Sequence, residues 1–128
     1  MDSALAIDVS YLAQQKALYD IIEKGGSDIQ QFYKGANIFI TGSSGFIGKQ
    51  LVEKLVRSCD VKKIYLLLRS KKGMSAQERL EKICQNTIWD TLRKKQPNFH
   101  EKLEAVPGDV TELRLGICEQ DWKRITEE

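Results

Sequence analysis

Apolar positions recur along this chain at helical spacing in some stretches and as unbroken short runs in others, and the alternation lays out its elements. From about Tyr11 to Lys24, the residues Tyr11, Leu12, Leu18, Ile21 and Ile22 suggest a short amphipathic helix closed by Gly25-Gly26. That helix is expected to lie outside the main sheet, in a leader spanning 1–28. Beginning at Asn37, Ile38-Phe39-Ile40 is a β-branched and aromatic run of the kind found in a buried parallel strand, and Thr41-Gly42-Ser43-Ser44-Gly45 breaks it. Ile47, Leu51, Val52, Leu55 and Val56 then return at helical spacing, with Lys49, Gln50, Glu53, Lys54 and Arg57 on the other side, predicting a helix of about three turns. Val61 to Arg69 holds a second strand, Ile64 to Leu68, apolar on both faces as a sheet covered by helices requires.

Ser75-x-x-Glu78 is a capping box, and it opens a helix predicted to run through Leu80, Ile83, Cys84, Ile88 and Leu92 before Pro97 ends the region. Leu103 to Val106 supplies a third strand, finished by Pro107-Gly108-Asp109, and a last helical segment spans Glu119 to Glu127. The order β-α-β-α-β plus a terminal helix predicts an α/β fold over 29–128: a Rossmann-like, doubly wound parallel sheet, incomplete, with right-handed crossovers. No internal repeat or low-complexity segment interrupts it.

Composition narrows the partners. A chain of 128 residues with 41% hydrophobic content holds one modest core, and a net charge of +2 gives no reason to expect long-range attraction to nucleic acid or an anionic membrane. Cys59, Cys84 and Cys118 are odd in number and lack zinc or redox spacing, so they read as reduced, intracellular thiols, with Cys84 in the core. No metal site is expected. The N-terminus has neither the cationic start nor the apolar run of a secretory signal, and no stretch approaches the ~18 apolar residues of a membrane span.

The chemistry concentrates at the glycine loop. A P-loop needs four residues between its glycines and then Lys-Ser/Thr, but five separate Gly42 from Gly48, and Gln50 follows Lys49. The fingerprint G-x-G-x-x-G fails as well, because Ser44 and Ile47 stand where glycines are needed. What remains is T-G-x-x-G-x-x-G from Thr41 to Gly48, serving a tight turn, close approach to a pyrophosphate and close helix packing. A plain turn would use the same glycines; the position between a strand and a helix favours a dinucleotide. Thr41, Gly42, Ser43, Ser44, Gly45, Phe46, Ile47 and Gly48 are therefore expected to hold one, at a helix N-terminus that favours phosphate.

The end of the second strand selects the cofactor. Asp60 is about the right distance from the glycines for a ribose-binding acid, but it precedes the strand and falls at its wrong end. The residue at the carboxyl end is Arg69, followed by Ser70, Lys71 and Lys72, and an arginine there grips a 2′-phosphate with paired N–H groups. NADP(H) is expected, with Arg69 and Lys71 as ligands; a solvated basic turn is the bland alternative. Asp109, with Val110 beside it, is placed either to reach the adenine amino group or to open an Asp-x-Thr turn before Thr111, and both readings stay open.

Several runs together resemble a family. Ile29-Gln30-Gln31-Phe32-Tyr33-Lys34-Gly35, Ile38 through Lys49, Leu51-Val52-Glu53-Lys54-Leu55, Ile64-Tyr65-Leu66-Leu67-Leu68-Arg69, Glu78-Arg79-Leu80 and Gly108-Asp109-Val110-Thr111 resemble the N-terminal region of eukaryotic, alcohol-forming fatty acyl-CoA reductases. The likeness runs from about Ile29 to the C-terminus. Ser43-Ser44 departs from the Gly-Thr or Ala-Thr common in the family, and Cys118 from the serine that commonly begins the final helix. The resemblance implies an oxidoreductase of the extended short-chain dehydrogenase type. It would reduce a long-chain fatty acyl-CoA through an enzyme-bound aldehyde to a fatty alcohol, using two NADPH and releasing CoA.

Members are associated with peroxisomal or endoplasmic reticulum membranes. Such enzymes use a tyrosine with a lysine four residues later, yet the positions four after Tyr11, Tyr19, Tyr33 and Tyr65 are Gln15, Glu23, Asn37 and Arg69. No catalytic residue is assigned, and the chain is expected to be the cofactor-binding part of a longer enzyme, inactive alone. In the usual strand order the first strand is central, so a sheet of three strands leaves it with an open, aggregation-prone edge. The alternative is a non-catalytic NADP(H)-binding module completed by a partner chain; a nucleotide-sugar epimerase or thioester reductase relative would share the glycine pattern.

Overall fold

The computed structural model describes residues 2–128, which fall into two compact units, 2–32 and 33–128. In the first, α1 (Ser3–Glu23) starts earlier than the apolar spacing indicates, with the Asp2 carboxylate accepting from the Ala4 N–H at 3.4 Å. None of its residues is buried. It ends at the glycine pair: the Gly26 N–H donates to the Ile21 carbonyl at 2.8 Å and the Gly25 N–H to Ile22 at 3.0 Å, both glycines having positive φ. A short helix absent from the sequence reading, α2 (Asp28–Tyr33), follows. Its N-terminus is closed by a reciprocal pair in which the Ser27 Oγ accepts from the Gln30 N–H and the Gln30 Oε1 from the Ser27 N–H.

In the second unit, β1 (Asn37–Ile40), β2 (Lys63–Leu68) and β3 (Leu103–Pro107) form a parallel sheet in that spatial order, with Ile38 opposite Ile64 and Leu66 opposite Ala105. The fold class is the one expected. Strand β2 is central and buried on both faces, which explains its unbroken apolar run. Ile64, Leu66 and Leu68 point to one side, where they pack with Val52, Leu55 and Val56 of α3 (Phe46–Ser58) and Leu80 of α4 (Ala76–Cys84). Tyr65 and Leu67 point to the other, against Val106 and the half-buried Leu115, Ile117 and Ile125, the last on α6 (Glu119–Glu127).

One element differs from the periodic reading. The helix opened by the Ser75–Glu78 capping box does not reach Leu92; it stops at Cys84, and after a 3₁₀ turn over Thr87–Trp89 a separate α5 (Asp90–Lys95) begins. Asn86 causes the break, because its side chain accepts from the Ile88 N–H at 3.0 Å and so caps a new turn in competition with the helix. The break also drops Trp89 into the core. There its indole N–H donates to the Ile83 carbonyl at 2.8 Å, and its ring stacks on Phe99 with centroids 5.5 Å apart. Cys84, half-buried against this core, has its thiol pKa pushed up by burial.

Candidate functional site

All three strands end in loops at the same edge of the sheet, and the loops meet around a cleft of about 250 Å³. Off β1, Gly42 turns the chain in the left-handed region at φ 70°. Gly48, in the first turn of α3, permits the closest approach: a Cβ there would stand 2.1 Å from the Gly42 carbonyl oxygen and 2.7 Å from the Ser43 Cα. Helix α3 begins without any side-chain cap, since Gly45 occupies that position, and its leading N–H groups keep their capacity for an anion. Ser43 is 2% exposed, and its hydroxyl has no hydrogen-bond partner among the described residues.

Off β2, Arg69 is exposed and Lys71 follows on a tight hairpin. The Lys71 N–H donates to the Met74 carbonyl at 3.2 Å and the Met74 N–H to Lys71 at 3.0 Å, while Lys72 and Gly73 between them both have positive φ, 50° and 74°. Those angles define the two-residue turn that suits adjacent strands. Arg79 reaches in from α4, donating from Nη1 to the Arg69 carbonyl oxygen at 2.6 Å, and lines the same cleft.

Off β3, Asp109 opens the Asp-x-Thr turn, one of the two roles left open for it. Its carboxylate accepts from the Thr111 N–H at 2.9 Å and the Thr111 hydroxyl at 2.8 Å. These two bonds, with the charge of Arg69, hold its pKa below the usual carboxylate range. Its own N–H donates to the Leu115 carbonyl at 2.7 Å, closing a loop in which Arg114 and Leu115 are also left-handed.

Of the twelve residues expected to bind a dinucleotide, Gly42, Ser44, Arg69, Lys71, Asp109 and Val110 share the cleft wall. Ser43 lies beneath the loop and Gly48 is pressed against it. Thr41, Gly45, Phe46 and Ile47 are exposed around it without lining the cleft. Asp60 is absent from the wall: it sits at the amino edge of the sheet, its carbonyl accepting from Gly35 at 2.7 Å and its carboxylate 3.7 Å from Lys102. Arg79, Leu67, Gly108 and Thr111 complete the wall and were not among the residues expected to hold the dinucleotide. Arg79 had a legible signal, standing four residues after the Ser75 cap and therefore in the first turns of a helix that starts beside the basic hairpin.

The wall suits a nucleotide bearing phosphates. It carries three cations with a single carboxylate that is already satisfied, and beside it stand the uncapped N-terminus of α3 and the buried Ser43 hydroxyl, which has no partner among the described residues. No helix among the described residues is long and apolar enough to cross a membrane.

Residues 40–128 match the NAD-binding family described as male sterility protein. The chain is similar to fatty acyl-CoA reductase 1 of Pongo abelii, 41% identical over 100 residues that cover 77% of this chain and 19% of that protein. It is 44% identical over 94 residues to fatty acyl-CoA reductase 1 of Mus musculus, covering 73% of this chain and 18% of that one. Among solved structures it is similar to the reductase (R) domain of a non-ribosomal peptide synthetase from Mycobacterium tuberculosis, with a TM-score of 0.57 and 28% identity over 73% of this chain and 22% of the other. The chain spans about a fifth of the length of the curated relatives it matches.

Proposed function

Since the chain belongs to the male sterility protein family of NAD-binding domains, we propose that it supplies the NADPH-binding part of a fatty acyl-CoA reductase. A nicotinamide cofactor follows from the family. The choice of NADPH rests on one observation: the carboxyl end of β2 presents Arg69, with Lys71 and Arg79 in the same wall, where an NAD-selective site places an acid. Arg79, held through one donor by the Arg69 carbonyl, keeps further N–H groups for a phosphate oxygen.

In this reading the glycine loop and the α3 N-terminus take the pyrophosphate, and Ser43 gains a partner for its hydroxyl through the loop or a bound water. Asp109 and Val110 flank the adenosine. The bound nicotinamide supplies hydride. The acyl-CoA substrate is taken from the names of the relatives and its reduction to a fatty alcohol from the family resemblance; this chain has no Tyr-x-x-x-Lys pair and contributes cofactor binding rather than proton transfer. A parent enzyme on peroxisomal or endoplasmic reticulum membranes belongs to the same proposal, and subcellular fractionation of cells expressing it tests that part.

The main test is calorimetric titration of the chain with NADPH and with NADH. NADPH is expected to bind more tightly, and Arg69→Ala is expected to remove about 2 kcal/mol of that preference, roughly thirtyfold. An unchanged preference in the variant would take Arg69 out of the 2′-phosphate role, and a chain that binds neither dinucleotide would sink the whole reading.

A further inference from the structure

Helix α1 lies outside residues 40–128, the stretch that carries the family match. It spans 21 residues, about 31 Å at the rise of an α-helix. A helix of this length gains most of its stability from packing an apolar face, and α1 buries none. Helical spacing gathers Ala4, Ile7, Tyr11, Leu18 and Ile22 into one stripe along it, and the large members of that stripe are between 55% and 71% exposed. The reverse side carries the small residues Ala6, Ser10, Ala13 and Ala17.

Two features select the occupant of that stripe. Asp8, Asp20 and Glu23 stand against Lys16 alone, so the helix is net negative and lacks the basic flank with which surface helices hold anionic lipid. The stripe is also self-complementary when a second copy of α1 lies antiparallel on it. Ile7 then meets Leu18 of the other copy, the small Ala4 meets Ile22, and Tyr11 meets Gln14, whose amide oxygen accepts from the phenol. Along one flank of the same register Asp8 faces Lys16, Leu5 faces Tyr19, and Leu12 faces its own copy at the two-fold axis. A parallel pair would instead set Asp8 against Asp8 and Lys16 against Lys16. Among the described residues neither Asp8 nor Lys16 takes part in an ion pair within the chain, so both charges are open to such a partner.

We propose that α1 is a self-association element: two copies of this chain pair through antiparallel α1 helices, with Ile7 and Leu18 as the apolar anchors of the seam and Asp8–Lys16 pairs along its flank. The proposal is independent of the nucleotide reading, since none of these residues lines the cleft.

Sedimentation equilibrium of the chain is expected to show a dimer with a Kd in the micromolar range. Ile7→Ala/Leu18→Ala keeps high helix propensity and is expected to weaken association about a hundredfold or more. Asp8→Lys, measured at low salt, is expected to weaken it about tenfold by setting like charges across the seam twice. The exchange Asp8→Lys/Lys16→Asp is expected to restore the parent affinity, which a general loss of helix would not allow. A chain that stays monomeric well above the micromolar range overturns the proposal, and one that does so while sedimenting with phosphatidylcholine vesicles assigns the stripe to a membrane instead. A dimer that Ile7→Ala/Leu18→Ala leaves intact overturns it as well, because association then uses another surface. An exchange variant as weak as Asp8→Lys overturns the antiparallel register and the proposal with it.

Discussion

At the scale of single residues, Gly48 is the most constrained position in the site. Any side chain there would overlap the Gly42 carbonyl at 2.1 Å, and the obstacle is backbone, which gives way only if α3 moves off the loop. Gly48→Ala is expected to cost about 1–3 kcal/mol of stability, as overpacking does, and to abolish dinucleotide binding. Thermal denaturation with NADPH titration on the same sample checks both; an alanine variant that melts and binds as the parent does would refute the close-packing argument. The same residue shows what was legible in advance. Motif spacing gave Gly48 the close helix packing, but against the sheet; that the obstacle is the backbone of Gly42 and Ser43 in the loop depends on how far α3 slides toward it. Asp109 was undecided for another reason: one candidate partner, Thr111, stands two residues on while the other belongs to a ligand outside the chain, and the structure shows the first of these bonds.

At the scale of elements, the Ser75–Glu78 capping box does more than begin α4. It fixes the helix in the register that sends Arg79 to the cleft. Ser75→Ala removes the hydroxyl that accepts from Glu78 at 3.2 Å and is expected to cost about 1 kcal/mol. Chemical denaturation measures that cost, and NADPH affinity should fall with it as the first turn frays; a stability loss with unchanged affinity would mean that Arg79 does not depend on the cap. The strands and the helices α3 and α6 were readable because β2 is one unbroken apolar run and the two helices keep their spacing from end to end. The long helix expected through Leu92 was not, because its apolar spacing continues across Asn86 while the local hydrogen bond of that side chain wins. Helix α2 was missed for want of length, though its Ser27–Gln30 pair was present in the sequence.

At the scale of the molecule, the doubly wound sheet is held on its second face by a polar cluster as well as by Leu67 and Val106. Arg124 of α6 bonds to Glu104 of β3 and lies 5.7 Å over the Tyr65 ring, Lys63 reaches Glu104 at 3.0 Å, and the Tyr65 hydroxyl donates to Glu128. Burial, then the bond and charge of Glu128, push the Tyr65 pKa up from 10.0 to about 12. The neutral phenol is therefore the form the fold favours: its contribution is complete below the unfolded pKa and is lost as pH rises through the window from 10.0 to about 12. Alkaline titration is expected to release α6 in that window, with tyrosinate absorbance rising as helical circular dichroism falls. Replacement by phenylalanine should uncouple the two, and a helical signal that still falls with the same midpoint would place the trigger elsewhere. Net charge, a whole-molecule sum, concealed the site, since +2 averages the cation-lined edge with acidic groups elsewhere.

The hairpin at Lys71–Met74 carries one further consequence, for proteolysis. Two exposed lysines in succession would ordinarily be an open target for a protease that cleaves after basic residues, and such enzymes take their substrate as an extended strand. Here Lys72 and Gly73 are folded back in the left-handed region between two backbone hydrogen bonds, and cutting requires both bonds to open first. The tightness that presents the lysines to a phosphate is thus also what withholds them from the cleavage their sequence invites.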